Sequence, residues 1–194
     1  MTSPQRTLTG RIRVALPPGE AFCLFTPRGE QEWAHGWHPR FPAPAPDDTE
    51  PGTVFETDAH GRRTIWLVLD RQWGQRISYA RVTPGDLAGT VTVTLSAPDA
   101  GEQALGDSEV DVTYRLTALT GASRDKLRQF ADGYPAYLES WQDAIAAWLR
   151  RERPFPSDHG PELGFTGGHG RRRARGGALS APYRGAPDGL RLPD

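Results

Sequence analysis

The chain has 194 residues with 23 basic and 24 acidic side chains, so its formal net charge is -1 at pH 7. This length suits one domain with an extension better than two very small domains. Charge is unevenly distributed, because residues 153–194 carry a net charge of +3 and the remainder -4. A single cysteine excludes an internal disulfide, and no apolar run approaches the ~18 residues of a transmembrane helix. The N-terminal segment lacks a signal-peptide core, which predicts a cytoplasmic protein.

The first part of the chain predicts a strand, two short helical turns and a stiff loop. Residues 6–16 alternate apolar and polar side chains with a period of two, which is typical of a strand with one solvent-exposed face. Pro18 and Glu20 then favour the start of a short helix, and residues 29–34 permit a second helical turn. The five prolines of residues 36–51 favour extended backbone, so this stretch is predicted to be a surface loop at the mouth of any cavity.

Five strand-like segments follow between Gly52 and Thr120, separated by turn residues. They are predicted at residues 53–59, 63–71, 75–82, 90–95 and 110–117. The last two alternate most regularly, with apolar side chains on one face and threonine or charged side chains on the other. This pattern predicts an antiparallel sheet that packs on one side.

The period changes to three or four residues after Gly121, which predicts one amphipathic helix from Ser123 to Arg151 with a largely aromatic stripe. Because a proline in a helix interior costs about 3 kcal/mol, Pro135 predicts a kink or break near residues 131–135. Periodicity is lost beyond residue 152. We therefore expect a folded domain over residues 1–152 and a disordered tail, rich in Arg, Gly and Pro, over residues 153–194.

This order of elements resembles the helix-grip fold of the SRPBCC superfamily, which includes START, pollen-allergen-like and polyketide cyclase-like proteins. Local stretches such as FTPRGEQEW (25–33), PGTVF (51–55) and YLESWQDAI (137–145) are similar to a bacterial branch of it. The resemblance covers about residues 6–151. It implies an α+β fold in which a curved antiparallel sheet of about six strands wraps around a long C-terminal helix. It implies no shared catalytic motif, so function has to be argued from the site.

Aromatic side chains exceed what a thin layer of sheet on helix needs to fill itself, and together with the resemblance they predict a cavity. The main functional hypothesis is therefore that a small hydrophobic or aromatic molecule binds between the sheet and the C-terminal helix. The alternative is that these side chains simply pack the core. The candidate ligand-binding residues are Trp33, Trp37, Phe55, Trp66, Tyr79, Tyr114, Tyr134, Leu138 and Trp141. No cofactor and no metal are predicted.

An enzyme is the second hypothesis, a cyclase or lyase acting on an aromatic or polyketide-like substrate. Glu32, His35 and His38 recur at a spacing of three, which on a helical turn would bring a carboxylate and two imidazoles together. His35 or His38 would be the general acid or base, whereas a metal site would need a further ligand. Several strands also carry charged residues, Arg81 among them. One of these could be buried and could orient a carboxylate or enolate group of a ligand.

A third hypothesis is a protein-interaction module similar to chaperone-ATPase activators, which would have a filled core and a working outer surface. The RRRAR motif of residues 171–175 lacks interleaved aromatic residues, so specific nucleic-acid recognition is not predicted. Neither is a membrane span. The sequence leaves a homodimer open.

Overall fold

The computed structural model describes residues 4–59, 61–98 and 106–152. The predicted tail over residues 153–194 lies outside this part of the chain. The described elements follow in the order β1 (Gln5–Val14), α1 (Pro18–Cys23), a 3-10 helix (Gly29–Glu32), β2 (Val54–Ala59), β3 (Arg62–Gln72), β4 (Arg76–Thr83), β5 (Leu87–Ser96), β6 (Ser108–Ala118) and α2 (Gly121–Glu152).

The six strands form one curved antiparallel sheet in the order β1-β6-β5-β4-β3-β2. Strands β2 to β6 form a meander in chain order. The last strand, β6, pairs with the first, β1, and Gly10 lies opposite Val112. Gly74 and Gly85 adopt positive φ values of 71° and 73° in the turns that flank β4, a conformation glycine reaches without steric cost. The α+β architecture and the number of strands agree with the sequence prediction, and so do the two short helices after β1.

Of the kink or break predicted near residues 131–135, helix α2 shows that the break does not occur. It runs continuously from Gly121 to Glu152 with Pro135 inside it. Gly133 and Pro135 both lie on the exposed side of the helix, where water can reach the carbonyl group that lacks its usual amide partner. Packing of the apolar side holds the helical geometry through this point. Within the described residues, no helix is both long and apolar enough to span a bilayer.

Helix α2 lies across one half of the concave face of the sheet. It packs mainly on β1 and β6, and it approaches β1 so closely that a Cβ atom at Gly10 would lie 2.5 Å from Cδ1 of Leu138. The segment that follows β1 lies over the rest of this face. Trp37 packs edge-on against Phe55 of β2 and Trp66 of β3, and the hydroxyl of Tyr79 in β4 donates to the carbonyl of Phe25. Helix α2 and the segment after β1 approach each other over the middle of the sheet. The space between them is the candidate site.

Candidate ligand-binding site

A cleft opens between α2 and the half of the sheet that the helix leaves uncovered. Its outer chamber has a cavity volume of about 100 Å³ and opens to solvent at its mouth. The chamber is lined by Gly36, Trp37, Thr57, Asp58, Ala59, Arg62, Thr64, Trp66, Arg81, Thr83, Asp86, Leu87, Tyr114, Lys126, Phe130 and Tyr137. Its exposed lining residues belong to the β2–β3 hairpin and the stretch around Gly36. The mouth is therefore formed there, and not by the proline-rich loop after His38.

A smaller inner chamber lies deeper, with a cavity volume of about 10 Å³, roughly the space that one water molecule needs. It is lined by Pro27, Glu30, Trp37, Phe55, Trp66, Tyr79, Val91, Val93, Tyr114 and Trp141. Trp37, Trp66 and Tyr114 line both chambers. The two spaces therefore adjoin, and a molecule that entered the outer chamber would meet the inner one behind these three rings.

The aromatic walls are held by hydrogen bonds at their polar ends. Trp37 Nε1 donates to the carbonyl of Pro27 at 2.7 Å, and Trp66 Nε1 donates to the Thr57 hydroxyl at 2.9 Å. The ring of Trp66 stacks on Phe55 with an angle of 3° between the planes and 5.7 Å between the centroids. Such fixed rings lose little further freedom when a ligand packs on them, which favours binding of a flat apolar molecule.

A tyrosine pair closes the α2 side of the outer chamber. The hydroxyl groups of Tyr114 and Tyr137 lie 3.4 Å apart, and Phe130 packs edge-on against both rings. Burial raises the pKa of Tyr114 to about 12 and raises the pKa of Tyr137 as well. Both phenols are therefore neutral at physiological pH and available as hydrogen-bond donors toward the cleft.

Arg81 is the buried cation of this site. Only 7% of the residue is exposed, and its guanidinium lies over the ring of Trp66 at 4.9 Å from the centroid. With the described residues it makes one long hydrogen bond, from Nη2 to Thr83 Oγ1 at 3.4 Å, and its buried Nε has no acceptor among them. Burial lowers the pKa of Arg81, because desolvation penalises the charged form.

Glu30 is the buried acid of the inner chamber. It lies in the 3-10 helix, 7% exposed, and its carboxyl group has no hydrogen bond or ion pair with the residues that the structure describes. Burial raises the pKa of this carboxyl group well above its ordinary value. Across the same chamber, the buried Nε1 of Trp141 also lacks an acceptor within the described chain. The carboxyl group of Glu30 and Nε1 of Trp141 can therefore form hydrogen bonds with a molecule in the inner chamber.

The predicted aromatic residues divide between the site and the core. The cleft is lined by Trp37, Phe55, Trp66, Tyr79, Tyr114 and Trp141. Trp33, Tyr134 and Leu138 are buried outside the lining. Trp33 packs edge-on against Trp141 at 5.3 Å, and the Tyr134 hydroxyl donates to the carbonyl of Val112 at 2.8 Å. These three side chains support the site from behind.

The predicted acid/base group does not meet the cleft. Glu32, His35 and His38 are all exposed, and none of them lines either chamber. The 3-10 helix ends at Glu32, and Gly36 adopts a φ of 80°, so the helical turn that would have gathered the three side chains is not formed. Among the described residues, no group of three His, Cys, Asp or Glu side chains is arranged to hold a metal ion.

Sequence reasoning missed several lining residues, above all Glu30, Lys126, Phe130 and Tyr137. Arg81 was a candidate whose direction the sequence left undetermined. A signal for it existed, because Ile77, Tyr79, Arg81 and Thr83 alternate along β4 and all four are buried. No local pattern marks Glu30, because the orientation of an isolated 3-10 turn depends on what it packs against.

The fold is a helix-grip α+β fold, and several solved structures are similar to it. A protein from Rhizobium leguminosarum is 17% identical with a TM-score of 0.53, covering 76% of this chain and 95% of its own. CalU16 from Micromonospora echinospora is 16% identical with a TM-score of 0.52, covering 77% and 80%. The Aha1 dimer from Colwellia psychrerythraea is 13% identical with a TM-score of 0.51, covering 72% and 96%.

These similarities concern the fold alone, because every identity is low. No protein-family model matches the sequence, and no curated protein matches it significantly. Function therefore has to be argued from the cleft itself.

Proposed function

We propose that the protein binds a small hydrophobic or aromatic molecule in the cleft between the sheet and α2. The observation that carries this proposal is the aromatic lining of both chambers, with Trp37, Trp66 and Tyr114 common to the two. Apolar walls with a few polar groups are typical of small-molecule sites.

A fluorescent apolar probe, N-phenyl-1-naphthylamine, tests the proposal by its gain in emission on binding. Ala59 lies exposed at the cleft mouth, so Ala59→Phe narrows the entrance without removing a core contact. We expect this variant to weaken probe binding by roughly ten-fold, or about 1.4 kcal/mol. Val54→Phe is the matched control, since Val54 is exposed on the same strand but does not line the cleft.

Equal probe binding by wild type and Ala59→Phe would contradict the cleft as the binding site. Native mass spectrometry of freshly purified protein adds a test without a chosen probe. We expect an additional mass of a few hundred daltons that is lost on denaturation.

Acid/base catalysis on an aromatic or polyketide-like substrate is the second candidate function. The observation that favours it is Glu30, which lines the inner chamber and whose pKa is raised by burial, so that the protonated form a proton donor needs is favoured. In such an enzyme Glu30→Gln would abolish turnover and leave binding intact, whereas His35→Ala and His38→Ala would be silent. The reverse result would return the catalytic role to the exposed histidines.

A homodimer stays a prediction. Size-exclusion chromatography with light scattering would decide between one and two copies.

A further inference from the structure

The charges that line the outer chamber are unequally compensated. Five charged side chains line it, namely Asp58, Arg62, Arg81, Asp86 and Lys126. Asp86 receives Arg62 Nη1 at 2.7 Å, and Asp58 receives Arg40 Nη2 at 2.6 Å. Arg81 and Lys126 have no ion pair with any residue that the structure describes. Both carboxylates of the chamber are thus already paired, while two of its cations are not.

Arg81 is also arranged to receive an anion. A guanidinium carries five N–H donors in a planar fork, and the described residues use one of them in a bond of 3.4 Å. The buried Nε has no acceptor, Trp66 covers one face of the group, and Arg81 lines the chamber, so its unused in-plane donors can be reached by a ligand there. An uncompensated buried charge is costly, and a bound carboxylate would remove that cost through bidentate hydrogen bonds.

Resting on the proposed function, we propose that the ligand is a small aromatic carboxylate whose acid group binds Arg81. Its ring lies between the walls formed by Trp66 and Tyr137, and Lys126 adds a second positive charge toward the mouth. A single negative charge fits better than a phosphate, because Asp58 and Asp86 also line the chamber and oppose a higher charge.

The buried cation thus selects against neutral analogues. A neutral ligand of the same shape would fill the aromatic chamber but leave Arg81 unpaired, and a site built around an unpaired polar group discriminates strongly against such a ligand. Affinity for the apolar frame and selectivity for the acid therefore come from different parts of the cleft.

Displacement of N-phenyl-1-naphthylamine by naphthalene-2-carboxylate and by its neutral analogue 2-naphthylmethanol tests the assignment. In wild type we expect the carboxylate to compete roughly 10- to 100-fold better than the alcohol, the range for hydrogen bonds to charged groups. Arg81→Gln should remove this preference, so that the acid and the alcohol displace the probe about equally well. Arg115→Gln is the control, since it removes the same charge from an exposed position outside the cleft.

The wild-type comparison needs no variant, so it decides the question even if Arg81→Gln fails to fold. Probe binding combined with equal displacement by acid and alcohol would overturn the role of Arg81 and leave the binding function standing. A preference for the acid that survives in folded Arg81→Gln would also overturn it. Failure of the probe to bind wild-type protein would overturn the binding function, and this inference with it.

Discussion

Replacement of Glu30 by glutamine should change how the stability of the protein depends on pH. Glu30 is buried in the inner chamber without a partner among the described residues, and burial raises its pKa. Below the ordinary pKa of glutamate, about 4.3, the side chain is protonated in both folded and unfolded chains. Above it, the unfolded chain releases a proton that the folded chain keeps, so wild type loses stability as pH rises.

The size of this loss follows from proton linkage. For one group, the free energy of unfolding falls by about 1.4 kcal/mol per pH unit between the unfolded and the folded pKa, and then levels off. Glutamine has the shape of the neutral acid but does not titrate. We therefore expect Glu30→Gln to match wild type near pH 4 and to become the more stable protein as pH rises.

Urea denaturation from pH 4 to 8.5, followed by tryptophan fluorescence, measures the difference between the two proteins. Titrations that both share, such as that of Asp47, whose pKa is lowered to about 2, cancel in this difference. The charged or titratable neighbours Tyr79, Tyr114 and Tyr137 do not contribute, because burial raises their pKa values above the tested range.

Glu32→Gln is the matched control for this experiment, since Glu32 lies in the same 3-10 helix but is exposed. Its stability should run parallel to that of wild type at every pH. Parallel curves for Glu30→Gln and wild type would refute the assignment of a buried neutral acid, because they would mean that Glu30 titrates alike in both states.

Three further substitutions have outcomes that follow from the packing. Arg81→Met should raise the free energy of unfolding of the ligand-free protein by about 1–2 kcal/mol, because an unpaired buried charge is removed. Gly89→Ala should lower it by more than about 3 kcal/mol, since the new Cβ would lie 1.9 Å from the carbonyl oxygen of Arg115 in the paired strand. Tyr134→Phe should cost about 0.5–1.5 kcal/mol, because the buried hydrogen bond from its hydroxyl to the carbonyl of Val112 is lost.

Chemical denaturation measures all three, and the glycine and tyrosine substitutions each have a control. Gly133→Ala, at an open and exposed helix position, should stabilise by about 0.5–1 kcal/mol where Gly89→Ala destabilises. Tyr137→Phe should cost less than Tyr134→Phe, because its hydroxyl contact of 3.4 Å is weak. A destabilised Arg81→Met would show that the guanidinium is already compensated in the free protein.

Local patterns predicted the elements because side-chain period reports which face of an element is apolar. The alternation in β5 and β6 and the three-to-four-residue spacing of α2 both appear as predicted, with Val91, Val93 and Val112 buried on one face. The prediction of a break at Pro135 was wrong for a physical reason. A helix propensity describes an unsupported segment, whereas here the aromatic side of α2 is packed along its length.

The sequence by itself determined the α+β architecture, the order of strands and helix, and most of the aromatic residues available for a site. Only the tertiary structure decided which of those rings line a cleft, and that Arg81 and Glu30 face it while His35 and His38 do not. The reason is geometric. A cavity is the space left where α2 covers only one half of the sheet and a different segment covers the other. Local sequence patterns cannot predict such a space, because it depends on how elements that are distant along the chain pack together.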